Sequence, residues 1–241
     1  MYTKEIQQYL EKHGFGAFNP KAVLFDMDGV LYDSMPNHAY SWHKAMKELG
    51  LEMSEEEAFM REGMRGVEVI KILAREQWGR EVSDDEAEEM YLYKSRIFAS
   101  RPKAEVMPGV KELQRKIKAD GLKIVVVTGS GQKTLLDKLA TEFEGLIVPE
   151  LIVCSYDVTR GKPDPEPYLI GMQKAGVNPW EAIVVENAPL GVRSAVAANI
   201  FTIGVNTGPL PNKMLTDEGA SLVFNKMQDL ADNWGNIMRN A

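Results

Sequence analysis

The sequence predicts an α/β fold, in which a doubly wound, Rossmann-like parallel sheet forms the core and an all-helical cap domain is inserted into it. Short apolar runs alternate with helical patterns along most of the chain, as expected for a parallel sheet with helices on both faces. The alternation stops between about Pro36 and Arg101, where only amphipathic helical patterns occur. A helical domain inserted into a sheet domain accounts for both observations.

The first predicted element is a helix from Tyr2 to His13. It places Ile6 and Tyr9 near one face, and Gly14 follows as a helix-ending residue. We interpret residues 1–20 as a helical appendage that packs against the rest of the protein.

Six apolar runs are predicted to be the strands of the sheet. Each is short and stops at a loop, as buried parallel strands do. In the first run, KAVLFDMDGV, the apolar residues end at acidic residues and a glycine. The other five runs are Leu122 to Val127, Leu151 to Val153, Ala182 to Val185, Phe201 to Val205 and Leu222 to Phe224.

The cap is predicted to span residues 36–101, and the core to comprise residues 21–35 and 102–241. Two cap helices are expected to begin after Ser54 and Ser83, because each serine is followed three residues later by an acidic residue, as in a capping box. Prolines near both junctions are consistent with two short connectors. Such an arrangement allows the cap to hinge over the core.

The composition is that of a globular protein that does not bind nucleic acid. The 241 residues include 28 Lys and Arg against 35 Asp and Glu, a formal net charge of −7, whereas phosphate binding along a nucleic acid requires a basic face.

No run approaches the roughly 18 apolar residues of a membrane span, and the N-terminal segment is too polar for a signal peptide. We therefore expect a soluble, cytoplasmic protein with no membrane partner. Cys154, the only cysteine, fits a reducing compartment. The sequence does not identify the oligomeric state, and our expectation is a monomer.

Reactive side chains follow several of the predicted strands. Ligands of open parallel sheets bind beyond the carboxyl ends of the strands, near the point where the strand order reverses. The side chains at these ends should therefore converge at one edge of the sheet. They are Asp26 and Asp28 after the first strand, Thr128, Gly129 and Ser130 after the second, Lys162 beyond the third, and Glu186 and Asn187 after the fourth.

These residue types suit phosphoryl transfer. An ionised Asp26 can attack phosphorus and form an aspartyl phosphate, while Asp28 can protonate the leaving oxygen and later deprotonate the attacking water. Lys162 supplies a positive charge for the phosphoryl oxygens, and the Thr128 hydroxyl supplies a directed hydrogen bond.

A magnesium ion is expected at the same edge. Glu186 and Asn187 offer the oxygen ligands that a hard cation requires, and the ion would offset the repulsion between Asp26 and phosphate. Each motif alone has a simpler interpretation: Asp-x-Asp-Gly is more often a turn or a calcium loop, and Glu186-Asn187 fits an ordinary strand-to-helix turn. Their joint occurrence at strand ends favours the catalytic interpretation.

Four segments resemble the four motifs of the haloacid dehalogenase superfamily, specifically its β-phosphoglucomutase-like phosphatases with a helical cap. The segments are FDMDGVLYDS, VVVTGS, GKPDPEPY and VVENAPLGV, and the resemblance spans roughly Lys21 to Phe224. It implies the following site residues: Asp26 as nucleophile, Asp28 as general acid and base, Thr128 as phosphate-binding hydroxyl and Lys162 as stabilising lysine.

The resemblance also implies a set of metal ligands. They are the Asp26 carboxylate, the Asp28 main-chain carbonyl and the acidic motif at Glu186 and Asn187. Asn187 departs from the family, which usually has aspartate there. A neutral amide can coordinate Mg²⁺ through its oxygen, but the site loses one negative charge, and we expect a lower affinity for Mg²⁺.

The cap loop Arg61-Glu62-Gly63-Met64-Arg65-Gly66 is predicted to contact the substrate. In the sugar-phosphate mutases of the subfamily, an arginine follows the loop glycine by three positions and grips the distal phosphate. Here Gly66 has that position and Arg65 comes one residue early, which weakens a mutase assignment. Glu62 would repel a second free phosphate but could bind it through the metal, as suits a small substrate such as inorganic pyrophosphate.

Four further residues are candidates for substrate binding. His38 matches a histidine that mutase relatives carry near the hinge, and it could shuttle a proton or contact the substrate. The others are Lys94, Gly129 and Ser130. For His38, Lys94 and Ser130, a structural or surface role is an equally good interpretation.

Together these observations predict a Mg²⁺-dependent phosphohydrolase that acts through an aspartyl phosphate on a small phosphorylated metabolite, either a sugar phosphate or inorganic pyrophosphate. The nearest alternative is a β-phosphoglucomutase, which has the same core chemistry but returns the phosphoryl group to a sugar. A receiver-type phosphorylation switch shares the acidic residues, the hydroxyl and the lysine, but it needs neither a helical insertion nor a second carboxylate two residues after its nucleophile. A non-catalytic binding protein is suggested only by Asn187.

Overall fold

The computed structural model describes residues 2–131, 139 and 141–239; the remaining positions of the predicted appendage and core lie outside the described residues. Within this part of the chain, six strands form one parallel sheet. They are β1 (Ala22–Phe25), β2 (Lys123–Val127), β3 (Ile152–Val153), β4 (Ala182–Glu186), β5 (Phe201–Val205) and β6 (Leu222–Phe224). The strand order is β3-β2-β1-β4-β5-β6. Each predicted apolar run contains one strand, and the predicted α/β class is confirmed.

Ten α-helices accompany the strands in the described residues. They are α1 (Thr3–His13), α2 (Met35–Glu48), α3 (Glu55–Met60), α4 (Gly66–Trp78), α5 (Asp84–Ala99), α6 (Val110–Ala119), α7 (Glu166–Ala175), α8 (Pro189–Ala197), α9 (Asn212–Asp217) and α10 (Met227–Met238). None of them is both long enough and apolar enough to cross a lipid bilayer.

The strand order reverses at β1, which lies between β2 and β4. Phe25, the last residue of β1, is in register with Val126 and with Val185. Beyond it, the Asp26 N–H donates to the Val185 carbonyl at 3.0 Å, so the chain continues beside β4 as it leaves the sheet. The carboxyl ends of three adjacent strands therefore meet at one edge, around Asp26.

Helices cover both faces of the sheet. Successive side chains of a strand point to opposite faces. Val23 and Phe25 pack in a hydrophobic core with residues of α1, α6 and α10, whereas Leu24 packs in another core with residues of α7 and α8. This arrangement explains why the strands are apolar throughout, and it confirms the doubly wound architecture.

Helices α2 to α5 lie between β1 and β2 in the sequence and share a hydrophobic core of their own, which includes Trp42, Met46 and Leu73. The two predicted helix starts are confirmed, because the hydroxyls of Ser54 and Ser83 accept the backbone N–H three residues later, at 3.0 and 3.1 Å. These helices form the helical insertion that the sequence predicts.

The N-terminal helix α1 is anchored in the core of the sheet domain. Ile6 and Tyr9 are buried in the same hydrophobic cluster as Phe201 of β5. The Tyr9 hydroxyl lies at hydrogen-bond distance from the carbonyl oxygens of Pro179 (3.0 Å) and Asn199 (2.9 Å). The first helix therefore stabilises the segments that precede β4 and β5.

Candidate active site

A buried lysine joins two of the predicted carboxylates at the edge of the sheet. Lys162 Nζ donates to Asp26 Oδ1 at 2.5 Å, to Glu186 Oε1 at 2.7 Å and to the Val127 carbonyl at 3.2 Å. The lysine side chain is only 1% exposed. Burial lowers the pKa of Lys162, but Asp26 and Glu186 raise it above its ordinary value, so the ammonium stays charged. Charges at this depth persist only when they are paired and hydrogen-bonded.

The Glu186 carboxylate is fully engaged by protein donors. Its Oε1 accepts from Lys162 and from the Tyr168 hydroxyl (2.8 Å), and its Oε2 accepts from the backbone N–H groups of the next two residues (2.9 and 3.1 Å). Gly191 provides the space, because a Cβ there would lie 1.8 Å from Oε1. The structure therefore places Glu186 in the site as a partner of Lys162, with neither oxygen free for the predicted metal.

The Asp26 carboxylate lies in an environment that disfavours its charge. Burial raises the pKa of Asp26; Lys162 lowers it, whereas Glu186 and Asp28 raise it further. The net direction of the Asp26 pKa is upward, with burial as the largest cause. Additional positive charge beside Asp26 would favour the ionised form that a nucleophile requires.

A chain of side chains from the helical insertion holds Asp28. Asp28 Oδ1 accepts from Ser34 Oγ at 2.6 Å and lies 3.1 Å from His38 Nε2, while His38 Nδ1 lies 2.8 Å from Lys94 Nζ. Burial alone raises the pKa of Asp28, but His38, Ser34 and Lys94 lower it to about 2. Burial also lowers the pKa of His38, and it lowers that of Lys94 to about 7. Because two protonated nitrogens cannot face each other at this distance, the His38 and Lys94 side chains hold at most one positive charge between them.

The helical insertion also brings Glu62 to the edge of the sheet. Asn187 Nδ2 donates to both carboxylate oxygens of Glu62, each at 3.0 Å. Burial and the charge of Asp26 raise the pKa of Glu62 well above its usual range. Gly29, with φ of +78°, makes room for the amide, because a Cβ there would lie 2.1 Å from Asn187 Nδ2. Glu62 of the cap thus places a carboxylate beside Asn187, the position at which the family that the sequence resembles usually has an aspartate.

These groups surround a cavity of about 60 Å³ between the sheet edge and the helical insertion. The predicted site residues that line it are Asp26, Asp28, His38, Glu62, Lys94, Gly129 and Ser130. Lys162 and Asn187 adjoin it through their bonds to Asp26 and Glu62. Thr128 is buried, and its Oγ1 accepts the Ser130 N–H at 3.0 Å.

Arg65 is the predicted substrate-binding residue that the structure does not bring to the cavity. Its Nη1 donates instead to the carbonyl of Thr159 at 2.9 Å, on the loop that precedes Lys162. Gly66, at the position of the mutase arginine, lines the cavity without a side chain to contribute. In this arrangement of the cap the Arg65 guanidinium is directed at the backbone of the core, and its contact with substrate stays a prediction.

Three contributors to the site were not singled out by the sequence analysis. Arg61 lines the cavity, Ser34 bonds to Asp28, and Tyr168 bonds to Glu186. Ser34 and Tyr168 are the last residues of two of the quoted motifs, and Arg61 begins the quoted cap loop. Their places in these segments were the only sequence signal that they belong to the site. The contacts that they make depend on residues elsewhere in the chain.

The oxygen atoms around the cavity fit a divalent cation. In the described ranges, no three side chains drawn from His, Cys, Asp and Glu are arranged as a metal site. The candidate ligands therefore include an amide oxygen as well as carboxylate oxygens. The amide oxygen is Asn187 Oδ1, which is buried without a hydrogen-bond partner among the described residues. It lies beside a surplus of negative charge, which is the environment that hard cations occupy. Four carboxylates, those of Asp26, Asp28, Glu62 and Glu186, face two lysines and Arg61, and the Arg61 guanidinium is itself paired with Glu57.

The family model of the haloacid dehalogenase-like hydrolases matches residues 20–199. The chain belongs to the haloacid dehalogenase-like hydrolase family. The match begins two residues before β1, ends two residues after α8 and contains every core residue of the candidate site.

Relatives in this family support the assignment as an enzyme. Hexitol phosphatase A of Escherichia coli (strain K12) is 34% identical over 187 residues, which cover 77% of this chain and 83% of that protein. β-Phosphoglucomutase of Bacillus subtilis (strain 168) is 26% identical over 223 residues, which cover 87% of this chain and 91% of that protein. The solved structure of a Bacteroides vulgatus protein, provisionally called a β-phosphoglucomutase, is 50% identical with a TM-score of 0.96, covering 99% of this chain and 97% of that one. The protein is therefore a haloacid dehalogenase-like enzyme of the β-phosphoglucomutase-like type.

Replacing the buried Lys94 with methionine is expected to stabilise the protein in a pH-dependent way. The lysine has a pKa of about 7 in the folded protein against 10.5 ordinarily, so the unfolded chain binds more protons between these values. Wild-type stability therefore rises with pH across this interval, and Lys94→Met lacks that dependence. The stability advantage of Lys94→Met should be largest near pH 7 and shrink by up to about 1.4 kcal/mol per pH unit toward pH 10.

Urea unfolding of both proteins at pH 7 and pH 9.5 measures this difference. Lys44→Met is the matched control, because Lys44 lies on α2 in an exposed ion pair with Glu48. An advantage of Lys94→Met that does not change with pH would contradict the lowered pKa of Lys94.

Proposed function

We propose that the protein is a Mg²⁺-dependent phosphohydrolase that acts through an aspartyl phosphate on Asp26. The observation that supports this most directly is the bond between Asp26 and the buried ammonium of Lys162, at 2.5 Å, where Asp26 lines the cavity. A carboxylate in this position can attack a phosphoryl group whose oxygens the same ammonium attracts. Asp28, two residues further, lines the same cavity and suits the role of proton donor and acceptor.

The reaction takes two steps. In the first, an Asp26 oxygen forms a bond to phosphorus while the bond from phosphorus to the leaving oxygen breaks, and that oxygen takes a proton from Asp28. In the second, Asp28 removes a proton from water, the water oxygen bonds to phosphorus, and the bond to Asp26 breaks with release of inorganic phosphate. Lys162 stabilises the charge on the phosphoryl oxygens in both steps.

Asp28 must receive a proton before the first step, although its pKa is lowered to about 2. His38 Nε2 lies 3.1 Å from Asp28 Oδ1, and Lys94 lies 2.8 Å behind the same imidazole. A proton held by these two side chains can pass from His38 to Asp28 as the leaving oxygen approaches. The proposed role of His38 is therefore proton transfer, with Lys94 as the source that restores it.

Mg²⁺ would be held by the Asp26 carboxylate, the Asp28 main-chain carbonyl and the unpartnered amide oxygen of Asn187. The ion supplies positive charge that offsets the repulsion between Asp26 and an anionic phosphate. Glu186 contributes by orienting Lys162. Glu62 adds a carboxylate from the cap next to Asn187.

The relatives and the cap together support a substrate class. Relatives named hexitol phosphatase and β-phosphoglucomutase support a phosphorylated sugar as the substrate. Inorganic pyrophosphate is the second candidate: Glu62 lines the cavity, where its carboxylate would repel a second free phosphate but could bind one through the metal. A mutase is the weaker alternative, since Arg65 is bonded to the core backbone rather than directed at a distal phosphate.

Asp26→Asn is expected to abolish release of inorganic phosphate, because an amide cannot form the aspartyl phosphate. Circular dichroism should show that the variant is folded. Asp33→Asn is the control, since Asp33 is an exposed residue of the same motif and its variant should keep wild-type activity. Appreciable turnover by Asp26→Asn would exclude Asp26 as the nucleophile.

Asp28→Asn is expected to lower the rate of phosphate release by about 10²–10⁴-fold, because general acid catalysis is lost. The loss should be greatest for esters with poor leaving groups, which need protonation most. Rates for a series of aryl and alkyl phosphates measure this dependence. An equal loss across the series would contradict the acid role of Asp28.

Glu62→Gln separates the two substrate classes. If pyrophosphate is the substrate, the variant should lose roughly 10–100-fold in kcat/KM for pyrophosphate and less than about threefold for hexose phosphates. Glu56→Gln, an exposed residue of α3, is the matched control. A wild-type preference for hexose phosphates, or equal losses for both classes, would assign the enzyme to phosphorylated sugars instead. Formation of an isomer without phosphate release would indicate a mutase.

A further inference from the structure

The loop that follows β5 makes a side-chain contact with the turn that carries Asp26 and Asp28. Thr207 Oγ1 donates to the Gly29 carbonyl at 2.6 Å, across 178 positions of the sequence. Strand β5 lies next to β4 in the parallel sheet, so its carboxyl end opens at the same edge as those of β4 and β1. The Thr207 hydroxyl therefore reaches the candidate site from a strand whose end carries none of the site residues expected from the sequence.

The core holds this loop by bonds that do not involve Gly29. The Asn206 N–H donates to the Phe224 carbonyl at 2.8 Å, and the Thr207 N–H donates to the Val205 carbonyl at 2.9 Å. These bonds fix the backbone on both sides of the threonine side chain. The Thr207 hydroxyl is therefore a donor in a set position, to which the Gly29 carbonyl is bound.

Gly29 depends on such external bonds for its conformation. It has a φ of +78° and no side chain, so steric preference restrains its backbone little. Its N–H donates to the Tyr32 carbonyl at 2.8 Å. In a trans peptide the carbonyl points away from the N–H, so this bond directs the Asp28 carbonyl away from Tyr32. The next peptide is held through the Gly29 carbonyl by Thr207, so both peptides of the glycine are fixed.

The position of Gly29 in turn restricts the Asn187 amide. A Cβ on Gly29 would lie 2.1 Å from Asn187 Nδ2 and 2.9 Å from Asn187 Cγ, so the amide packs directly on the glycine backbone. Asn187 Nδ2 donates to Glu62, and Asn187 Oδ1 has no hydrogen-bond partner among the described residues. A rotation of the Gly29 peptides would therefore displace the amide oxygen that is assigned to Mg²⁺.

We propose that Thr207 is a positioning residue of the magnesium site. By holding the Gly29 carbonyl, it keeps the Asp28 carbonyl and the Asn187 amide oxygen in the orientation in which both can bind one ion. The inference rests on the proposed function, because that function requires the ion. Thr207 acts through Gly29, since its hydroxyl bonds to the glycine carbonyl and not to either ligand atom.

A purely structural role of Thr207 leads to a different expectation. Loss of a hydrogen bond lowers the stability of the fold whether or not a metal binds. Loss of a residue that orients metal ligands lowers the affinity for the metal, typically by about 10–100-fold. The affinity for Mg²⁺ therefore separates the two roles.

Titration of the protein with MgCl₂ alone, followed through the NMR signals of the Asn187 side-chain amide, measures this affinity without turnover. Thr207→Val keeps the branched shape but lacks the hydroxyl, and it should raise the Kd for Mg²⁺ about 10-fold. Thr207→Ser keeps the hydroxyl and should retain the wild-type Kd.

Thr202→Val is the matched control. Thr202 is a fully buried residue of β5 whose hydroxyl donates to the Ile200 carbonyl at 2.9 Å, at the amino end of the strand. This variant should lower the thermal midpoint and leave the Kd for Mg²⁺ unchanged. An unchanged Kd in Thr207→Val, an equal rise in Thr202→Val, or a loss in Thr207→Ser as large as that in Thr207→Val would overturn the proposal. Wild-type Asn187 signals that do not respond to MgCl₂ would overturn it as well.

The Mg²⁺ dependence of phosphate release gives a second readout. In Thr207→Val, the Mg²⁺ concentration that gives half the maximal rate should rise about 10-fold, while kcat at saturating Mg²⁺ should match the wild type. A lower kcat with an unchanged Mg²⁺ dependence would contradict a positioning role at the metal. If the wild-type protein binds Mg²⁺ but releases no phosphate from any ester or anhydride, the proposed function fails, while the NMR titration still decides the role of Thr207.

Discussion

The ammonium of Lys162, buried between Asp26 and Glu186, is the interaction on which the rest of the site depends. Each of these three charges is unfavourable in the interior by itself, and removing one partner of a buried pair typically costs about 3–5 kcal/mol. The pairing is possible because β1 and β4 are adjacent and in register, so that both carboxylates emerge at the same edge of the sheet. Two other residues accommodate the buried Glu186 carboxylate: the Tyr168 hydroxyl donates a hydrogen bond to it, and Gly191 leaves space for it. The position of Asp26 is thus set by sheet register and charge pairing together.

The helical insertion completes the polar network of the core as well as covering it. Asn187 gives the sheet edge a neutral amide, and Glu62 brings a carboxylate from the cap to within 3.0 Å of its Nδ2. His38 reaches Asp28 in the same way, from the first cap helix. Because these bonds join cap to core, the charge around the cavity depends on whether the cap is seated. Closure would therefore change the electrostatics of the site as well as its access to water.

The relatives include both phosphatases and a mutase, and the cap loop is the part of the helical insertion that brings Glu62 to the cavity. In this chain Gly66 leaves the distal phosphate without an arginine, and the neighbouring Arg65 is bonded to the core backbone. The cap therefore contributes Glu62, rather than Arg65, to the lining of the cavity.

The sequence by itself determined the strands, the starts of two cap helices and the core residues that meet at the sheet edge. These features depend on local patterns: apolar runs, capping serines, and polar residues directly after strands. Only the tertiary structure decided which atoms those residues contact. The Glu186 oxygens could have faced a metal, yet Lys162 and Tyr168 occupy one of them, and Arg65 could have faced the cavity. The deciding bonds join residues far apart, 136 positions for Asp26 with Lys162, 125 for Glu62 with Asn187 and 94 for Arg65 with Thr159. Local pattern carries no information about such distances, because they exist only once the sheet and the cap have packed.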